Sequence, residues 1–139
     1  MSTQTPSGIM SLINRVEYNG YQIKEWSIVQ FAKLTPVLSE IAEAYEKKNI
    51  EFSAFSEMLE NASGSSPLGL SKTALTFLAP VIEKSKEILM VSLKIKEDEV
   101  DQLVFSDGLV LVLLILKMNM EHISNFFVGL VRKNEEVTV

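Results

Sequence analysis

The 139-residue sequence contains no cysteine and only one histidine. Without cysteine the chain forms no disulfide, no thiolate zinc site and no cysteine nucleophile. His122 has Met118 and Phe126 at the two positions one helical turn away, and neither supports a metal site there. No glycine-rich phosphate loop follows a strand, and no nucleophile elbow accompanies the serines. These absences predict a protein that is not an enzyme and holds no cofactor and no metal.

Basic tracts are absent as well. The net charge is −5 at pH 7, and an acidic surface repels a phosphate backbone, so the sequence predicts no binding to nucleic acid. The acidic run from Glu97 to Asp101 lacks the spacing of a calcium loop and is typical of a solvated helix start. The first ten residues have neither the basic nor the apolar part of a secretory signal, which favours the cytoplasm.

The most apolar stretch is LVLVLLILKMNMEHISNFF, from Leu109 to Phe127. A helix that spans a membrane needs about 20 mostly apolar residues. Here the uninterrupted run covers only Leu109–Leu116, and Lys117, Asn119 and Glu121 follow it. The stretch therefore favours a buried core helix over a membrane span.

A β-hairpin is predicted near the N-terminus, in RVEYNGYQIKEW. Asn19-Gly20 is a strong signal for a two-residue type I′ turn, and the flanking residues alternate between apolar and polar. We predict strands at about 12–18 and 21–26. The tryptophan and the three tyrosines either form an aromatic contact surface or, as we expect, pack the hairpin onto the first helix. These residues are Tyr18, Tyr21, Trp26 and Tyr45.

Helical spacing of apolar residues dominates the rest of the chain. The sequence predicts one mainly α domain over residues 11–133, with the hairpin packed on a compact bundle of about four to five helices. Residues 1–10 are expected to form a flexible tail and residues 134–139 a frayed one, and NASGSSPLG is expected to form a loop. The predicted helices lie at about 28–48, 51–60, 71–93 and 106–132, with a possible short helix in the charged link between the last two.

The sequence also predicts where helices begin and where they are interrupted. Ser27 with Gln30 fits a capping box, and Ser71 and Ser106 are further expected caps. Pro36 predicts a kink or a break in the first long helix, and Pro80 predicts a kink or a restart in the next.

The last helix carries a seam of residues that alternate by four and three positions. The seam comprises Phe105, Leu109, Val112, Leu116, Asn119, Ile123, Phe126 and Leu130. Asn119 is its only polar member and is expected to find a hydrogen-bond partner and to fix the helix register. The C-terminal part of the seam has two interpretations: an ordinary core, or a groove for a partner. The candidate partner-binding residues are Met120, Ile123, Phe126, Phe127 and Leu130.

The order of these features resembles a known family. A hairpin with a turn glycine leads to WSIVQFAKLTPVLSEI, an acidic link follows a middle helix, and SDGLVLVLLILKMN opens an apolar helix that ends in paired phenylalanines. Over about residues 14–132 the chain resembles the tail assembly chaperones, or pre-tape-measure proteins, of long-tailed bacteriophages. The family pattern has an asparagine just before the Phe-Phe pair. Here Asn125 directly precedes the pair, and Asn119 lies two turns before it.

The resemblance implies a non-catalytic role. Such proteins bind the long helical tape measure protein, keep it soluble and help to recruit tail tube subunits. They act in the host cytoplasm and are absent from the mature virion, and a longer frameshifted product is common among them. Self-association is left open. The alternative function is a small acidic helical inhibitor or immunity-type protein, which would bind a basic partner tightly and in a salt-sensitive manner.

Overall fold

The structure is a computed structural model that describes residues 16–51, 53–57 and 76–138, with side chains described up to residue 129. It confirms a mainly α fold with a two-stranded antiparallel hairpin at its N-terminal end. The structure describes seven helices, whereas the sequence predicts four to five. The difference arises because the helices predicted at 71–93 and 106–132 are each divided in two. The elements are β1 (Val16–Tyr18), β2 (Tyr21–Ile23), α1 (Ile28–Lys47), α2 (residues 53–57), α3 (Ala79–Glu83), α4 (Ser85–Leu93), α5 (Glu97–Asp101), α6 (Phe105–Met118) and α7 (Met120–Thr138).

The hairpin turn is the predicted one. Asn19 and Gly20 both have positive φ, 54° and 84°, and Tyr18 pairs with Tyr21 across the two-residue loop. These are the features of a type I′ turn. β2 ends at Ile23, three residues before the predicted end, and the backbone N–H of Trp26 instead donates to a side chain on the far side of the core.

The main contacts of the hairpin are those of β2 with α4 and α6. Contact with the first helix is made at the end of the predicted second strand, where the Trp26 ring lies 6.1 Å from that of Phe31 on α1. The Tyr18 hydroxyl donates to Asp107 Oδ1 on α6 at 3.1 Å. The Trp26 indole N–H donates to Ser92 Oγ on α4 at 2.8 Å. Ile23, which is fully buried, lies between these contacts in the chain.

α1 begins with the predicted capping box. The Ser27 hydroxyl accepts from the Gln30 N–H at 3.1 Å, and the Gln30 side chain accepts from the Ser27 N–H at 2.8 Å. The helix continues through Pro36, so the predicted break there does not occur. Proline has no N–H for the carbonyl of Ala32, and the Thr35 hydroxyl donates to that carbonyl at 2.9 Å instead.

α1 ends where the sequence predicts, in a Schellman motif. Asn49 takes the left-handed conformation, with φ 58°. The Ile50 N–H donates to the carbonyl of Tyr45 at 2.9 Å, and the Asn49 N–H donates to that of Glu46 at 3.0 Å. Carbonyl groups at the helix end are thereby satisfied without solvent.

The helix predicted at 71–93 is divided within its described part. α3 starts at Ala79 with Pro80 in its first turn, which confirms the restart interpretation. A second break falls at Lys84, where φ is −102° and ψ is 9°, and α4 follows it. The break at Lys84 was not predicted. Val81 on α3 and Ile88 on α4 are both fully buried.

α6 forms the centre of the hydrophobic core, and the core prediction for Leu109–Leu116 is confirmed. Its buried side chains are Leu109, Leu111, Val112, Leu113, Ile115 and Leu116. The predicted cap at Ser106 is wrong, because α6 begins at Phe105 after Val104, whose side chain makes no capping hydrogen bond. Phe105 itself is 60% exposed, so the predicted seam starts outside the core.

The prediction of a single helix at 106–132 is wrong. The chain bends by 69° between α6 and α7 at Asn119, and α7 continues to Thr138. Among the described residues no single helix is long and apolar enough to cross a membrane; only this bent pair passes the length and composition test when its parts are joined. The predictions for residues 1–15, for the loop from Asn61 to Gly69 and for the cap at Ser71 lie outside the described residues.

Candidate protein interface around the bend at Asn119

Asn119 is the buried polar residue at the bend, with none of its surface exposed. Its Oδ1 accepts from the backbone N–H of Trp26 at 2.8 Å, and its Nδ2 donates to the carbonyl of Ile115 at 2.9 Å. The expected hydrogen-bond partners are therefore present. A buried polar group without a partner is costly, so both bonds stabilise the buried amide. The bond from Trp26 also ties the end of α6 to the loop after β2.

A group of four rings joins α1 to α7 beside the bend. We call Trp26, Phe31, His122 and Phe126 the Phe31 cluster. The Phe31 ring lies at centroid distances of 6.1 Å from Trp26, 6.3 Å from His122 and 6.0 Å from Phe126. The Phe126 contact is edge-to-face, at 87°, which is a favourable arrangement for two aromatic rings.

The single histidine has a structural role in this cluster. His122 Nε2 lies 2.5 Å from Glu25 Oε2, and both side chains are about half exposed. This contact ties α7 to the loop after β2. In the parts of the chain that the structure describes, no group of three or more His, Asp or Glu side chains is arranged to hold a metal ion.

The five candidate partner-binding residues are placed differently from one another. Ile123 and Phe127 are buried, with 1% and 8% of their surfaces exposed, and the Phe127 ring stacks on Phe55 at 6.5 Å. Met120 and Phe126 are half buried against the core. The side chain of Leu130 lies outside the described residues. In this conformation the predicted groove is therefore not open at Ile123 and Phe127.

The exposed apolar surface lies elsewhere, at positions that sequence reasoning did not select. Phe105, a member of the predicted seam, is 60% exposed, and Ile28 at the start of α1 is 90% exposed. Of the five large apolar side chains that are exposed, all but Val128 lie at the N-cap or in the first turn of a helix. The exposed large apolar side chains of the described residues are Ile28, Val29, Val104, Phe105 and Val128.

Three of these side chains are close in sequence to the Phe31 cluster. Ile28 and Val29 form the first turn of α1 and precede Phe31 by three and two residues. Val128 follows Phe126 by two residues on α7. The contact between Phe31 and Phe126 places the start of α1 beside α7.

The acidic residues of α5 are exposed and partly paired. Lys86 on α4 contacts Glu97 at 2.6 Å and Asp101 at 3.6 Å. The hydrogen bond from Lys86 lowers the pKa of Glu97. The Tyr21 hydroxyl donates to Glu99, and this bond raises the pKa of Tyr21. The segment behaves as a solvated helix start that is tied to α4 and to the hairpin.

Comparison with known proteins gives no relative. No protein-family description matches the chain, and no curated protein or solved structure matches it.

Proposed function

We propose that this chain is a non-catalytic binding protein, and specifically a tail assembly chaperone of a long-tailed bacteriophage. It binds and solubilises the tape measure protein and helps to recruit tail tube subunits. The observation that carries the binding role is the set of exposed apolar side chains on a chain of net charge −5. Exposed apolar side chains, where they form a patch, mark protein interaction sites in soluble proteins.

The surface near the Phe31 cluster has the chemistry that such a partner requires. An amphipathic helix binds by laying its apolar stripe against apolar side chains. Ile28 and Val29 on α1 and Val128 on α7 are exposed apolar side chains of this kind. The acidic residues elsewhere on the surface keep a complex with a hydrophobic partner dispersed, because like-charged complexes repel one another. The choice of partner rests on the family resemblance of the sequence.

The alternative function, an acidic inhibitor of a basic partner, has less support. Such a binder needs a dense face of unpaired carboxylates. On α5 two of the carboxylates share Lys86, and Lys94 and Lys96 lie beside Tyr21 and Glu99 in the same surface depression. The negative charge of this face is therefore diluted by nearby cations.

Co-expression tests the proposed function. The longest helical protein encoded in the same gene cluster is expressed with and without this chain, and its soluble fraction is measured. The proposal predicts a rise in that fraction and co-purification of the two proteins. No rise and no complex would remove the proposal.

Two double variants locate the contact in the same assay. Ile28→Ser with Val29→Ser changes exposed residues only, so the fold should stay intact while the rise in soluble partner is reduced. Glu46→Ser with Lys48→Ser changes two exposed residues at the C-terminal end of α1, leaves the net charge unchanged and serves as the matched control. Equal loss in both variants would place the contact away from the first turn of α1.

A further inference from the structure

The sequence pattern of α6 and α7 is continuous, although the structure bends between them. The steps of four and three run without interruption through Asn119, and such a pattern is typical of one straight helix. Kinks usually have a local cause, such as proline or paired glycine and serine residues. From Lys117 to Glu121 the sequence is KMNME, which contains neither, and its lysine, methionines and glutamate are good helix formers.

A single residue, Asn119, separates α6 from α7. Asn119 has φ −108° and ψ 18°, which differ by tens of degrees from the helical values of about −63° and −42°. Its N–H still donates to the carbonyl of Ile115 at 3.2 Å, and its carbonyl still accepts from the N–H of Ile123 at 3.0 Å. A moderate rotation at this residue would join α6 and α7 into one helix.

The bend is held by contacts with other parts of the fold. The Trp26 N–H donates to Asn119, His122 contacts Glu25, and Phe31 packs against Phe126. All three contacts connect the bend to the short segment from the loop after β2 to the start of α1. The buried side chains of α7, Ile123 and Phe127, supply the remaining attachment to the core.

We propose that α6 and α7 form a two-state element: a closed state, bent at Asn119, and an open state in which they are one continuous helix. In the closed state Ile123 and Phe127 fill the protein's own core. In the open state both side chains are exposed, which makes the predicted partner groove available. The use of the open state for partner capture rests on the proposed function, whereas the two states themselves do not.

The absence of native cysteine gives a direct test. Spin labels are attached to Phe105→Cys and Val128→Cys, which replace two exposed residues. Helical rise places these positions about 35 Å apart along a continuous helix. The observed bend of 69° shortens this separation to about 29 Å. The unmodified background should give the shorter distance by pulsed electron spin resonance.

A charge at a buried position of α7 selects the open state. Ile123→Glu cannot be accommodated in the core without an unpaired buried carboxylate, but it suits an exposed helix. The label distance should then lengthen by about 6 Å with a narrow distribution, which is the difference between the two geometries. The emission of Trp26, the single tryptophan, should shift to the red as its hydrogen bond to Asn119 is lost and Phe126 leaves the neighbouring Phe31 ring.

Two further variants keep the test decisive. Asn125→Glu places the same charge on an exposed position of α7 and should leave the distance unchanged. Phe127→Glu repeats the opening at a second buried position in case Ile123→Glu fails to fold. An unchanged distance in both buried variants, or a broad distribution with loss of helical circular dichroism, would overturn the two-state element. A lengthened distance without solubilisation of the partner would instead reject only the proposed function.

Discussion

α6 and α7 are adjacent helices with very different attachment to the fold. α6 has six buried side chains among its 14 residues, and it contacts the hairpin and α4. Among the described side chains of α7, only Ile123 and Phe127 are buried, and Val128 is exposed. The core is therefore organised around α6, while the described part of α7 is attached to it through two buried side chains. The following predictions test that contrast.

The largest effect is expected in α6. Leu111→Ala removes a fully buried side chain at the centre of the core, and the resulting cavity should lower the free energy of unfolding by about 4 kcal/mol. Urea denaturation measures this change. Val128→Ala on α7 is the matched truncation, and it should change stability by less than about 0.5 kcal/mol. Equal losses of stability in the two variants would mean that α6 and α7 are attached to the core to the same extent.

A smaller loss is expected for the buried aromatic residue of α7. Phe127→Ala removes a ring that stacks on Phe55 and should cost about 3 kcal/mol, at the low end for phenylalanine because the site is at the edge of the core. Phe126→Ala removes a half-buried ring and should cost less. Thermal melts of the two variants show which of them loses more stability. A greater loss for Phe126 would mean that α7 is held by the Phe31 cluster rather than by the core.

The junction itself should contribute less again. Asn119→Ala leaves the Trp26 N–H without its acceptor and should cost about 2 kcal/mol, the usual penalty for a buried donor that loses its partner. Amide hydrogen exchange at Trp26 should accelerate in the variant. Asn125→Ala, on the exposed face of α7, is the control and should leave that exchange unchanged. Slow exchange at Trp26 in Asn119→Ala would show that the bond is replaced.

The smallest effect concerns the exposed contact between α4 and α5. The hydrogen bond from Lys86 lowers the pKa of Glu97. The contribution of this bond to stability is therefore present at pH values above the usual pKa range of glutamate. That contribution is lost as pH falls through the lower pKa of the folded state. Lys86→Ala should raise the pKa of Glu97 toward its ordinary value, as measured by NMR titration. Lys33→Ala, on an exposed position of α1, should leave it unchanged, and a shift there would point to general surface charge.

The features that the sequence predicted correctly are determined by nearby residues. The turn at Asn19-Gly20 needs positive φ at two positions, and the cap at Ser27 needs an acceptor three residues before its donor. The buried run Leu109–Leu116 has no polar side chain to place it at the surface. Each of these signals is complete within a few residues, so no knowledge of the rest of the fold was required.

The features that were missed depend on contacts between distant residues. The break at Asn119 involves the N–H of Trp26, 93 positions away, and Lys84 forms an ion pair with Glu40 across to α1. The local pattern around either break is compatible with a continuous helix. The same reason explains why the sequence could not distinguish core from groove in the candidate site. Ile123 and Phe127 follow a regular apolar pattern, and that pattern is the same whether the protein's own core or a partner covers them.

The salt dependence of the co-expressed complex shows directly whether this chain binds an apolar helical partner. The complex is purified and applied to size-exclusion chromatography at low and at high salt. An interface built on apolar side chains predicts that the two proteins elute together under both conditions, since screening weakens charge contacts and not apolar burial. Dissociation at high salt would contradict the account and favour an acidic binder of a basic protein.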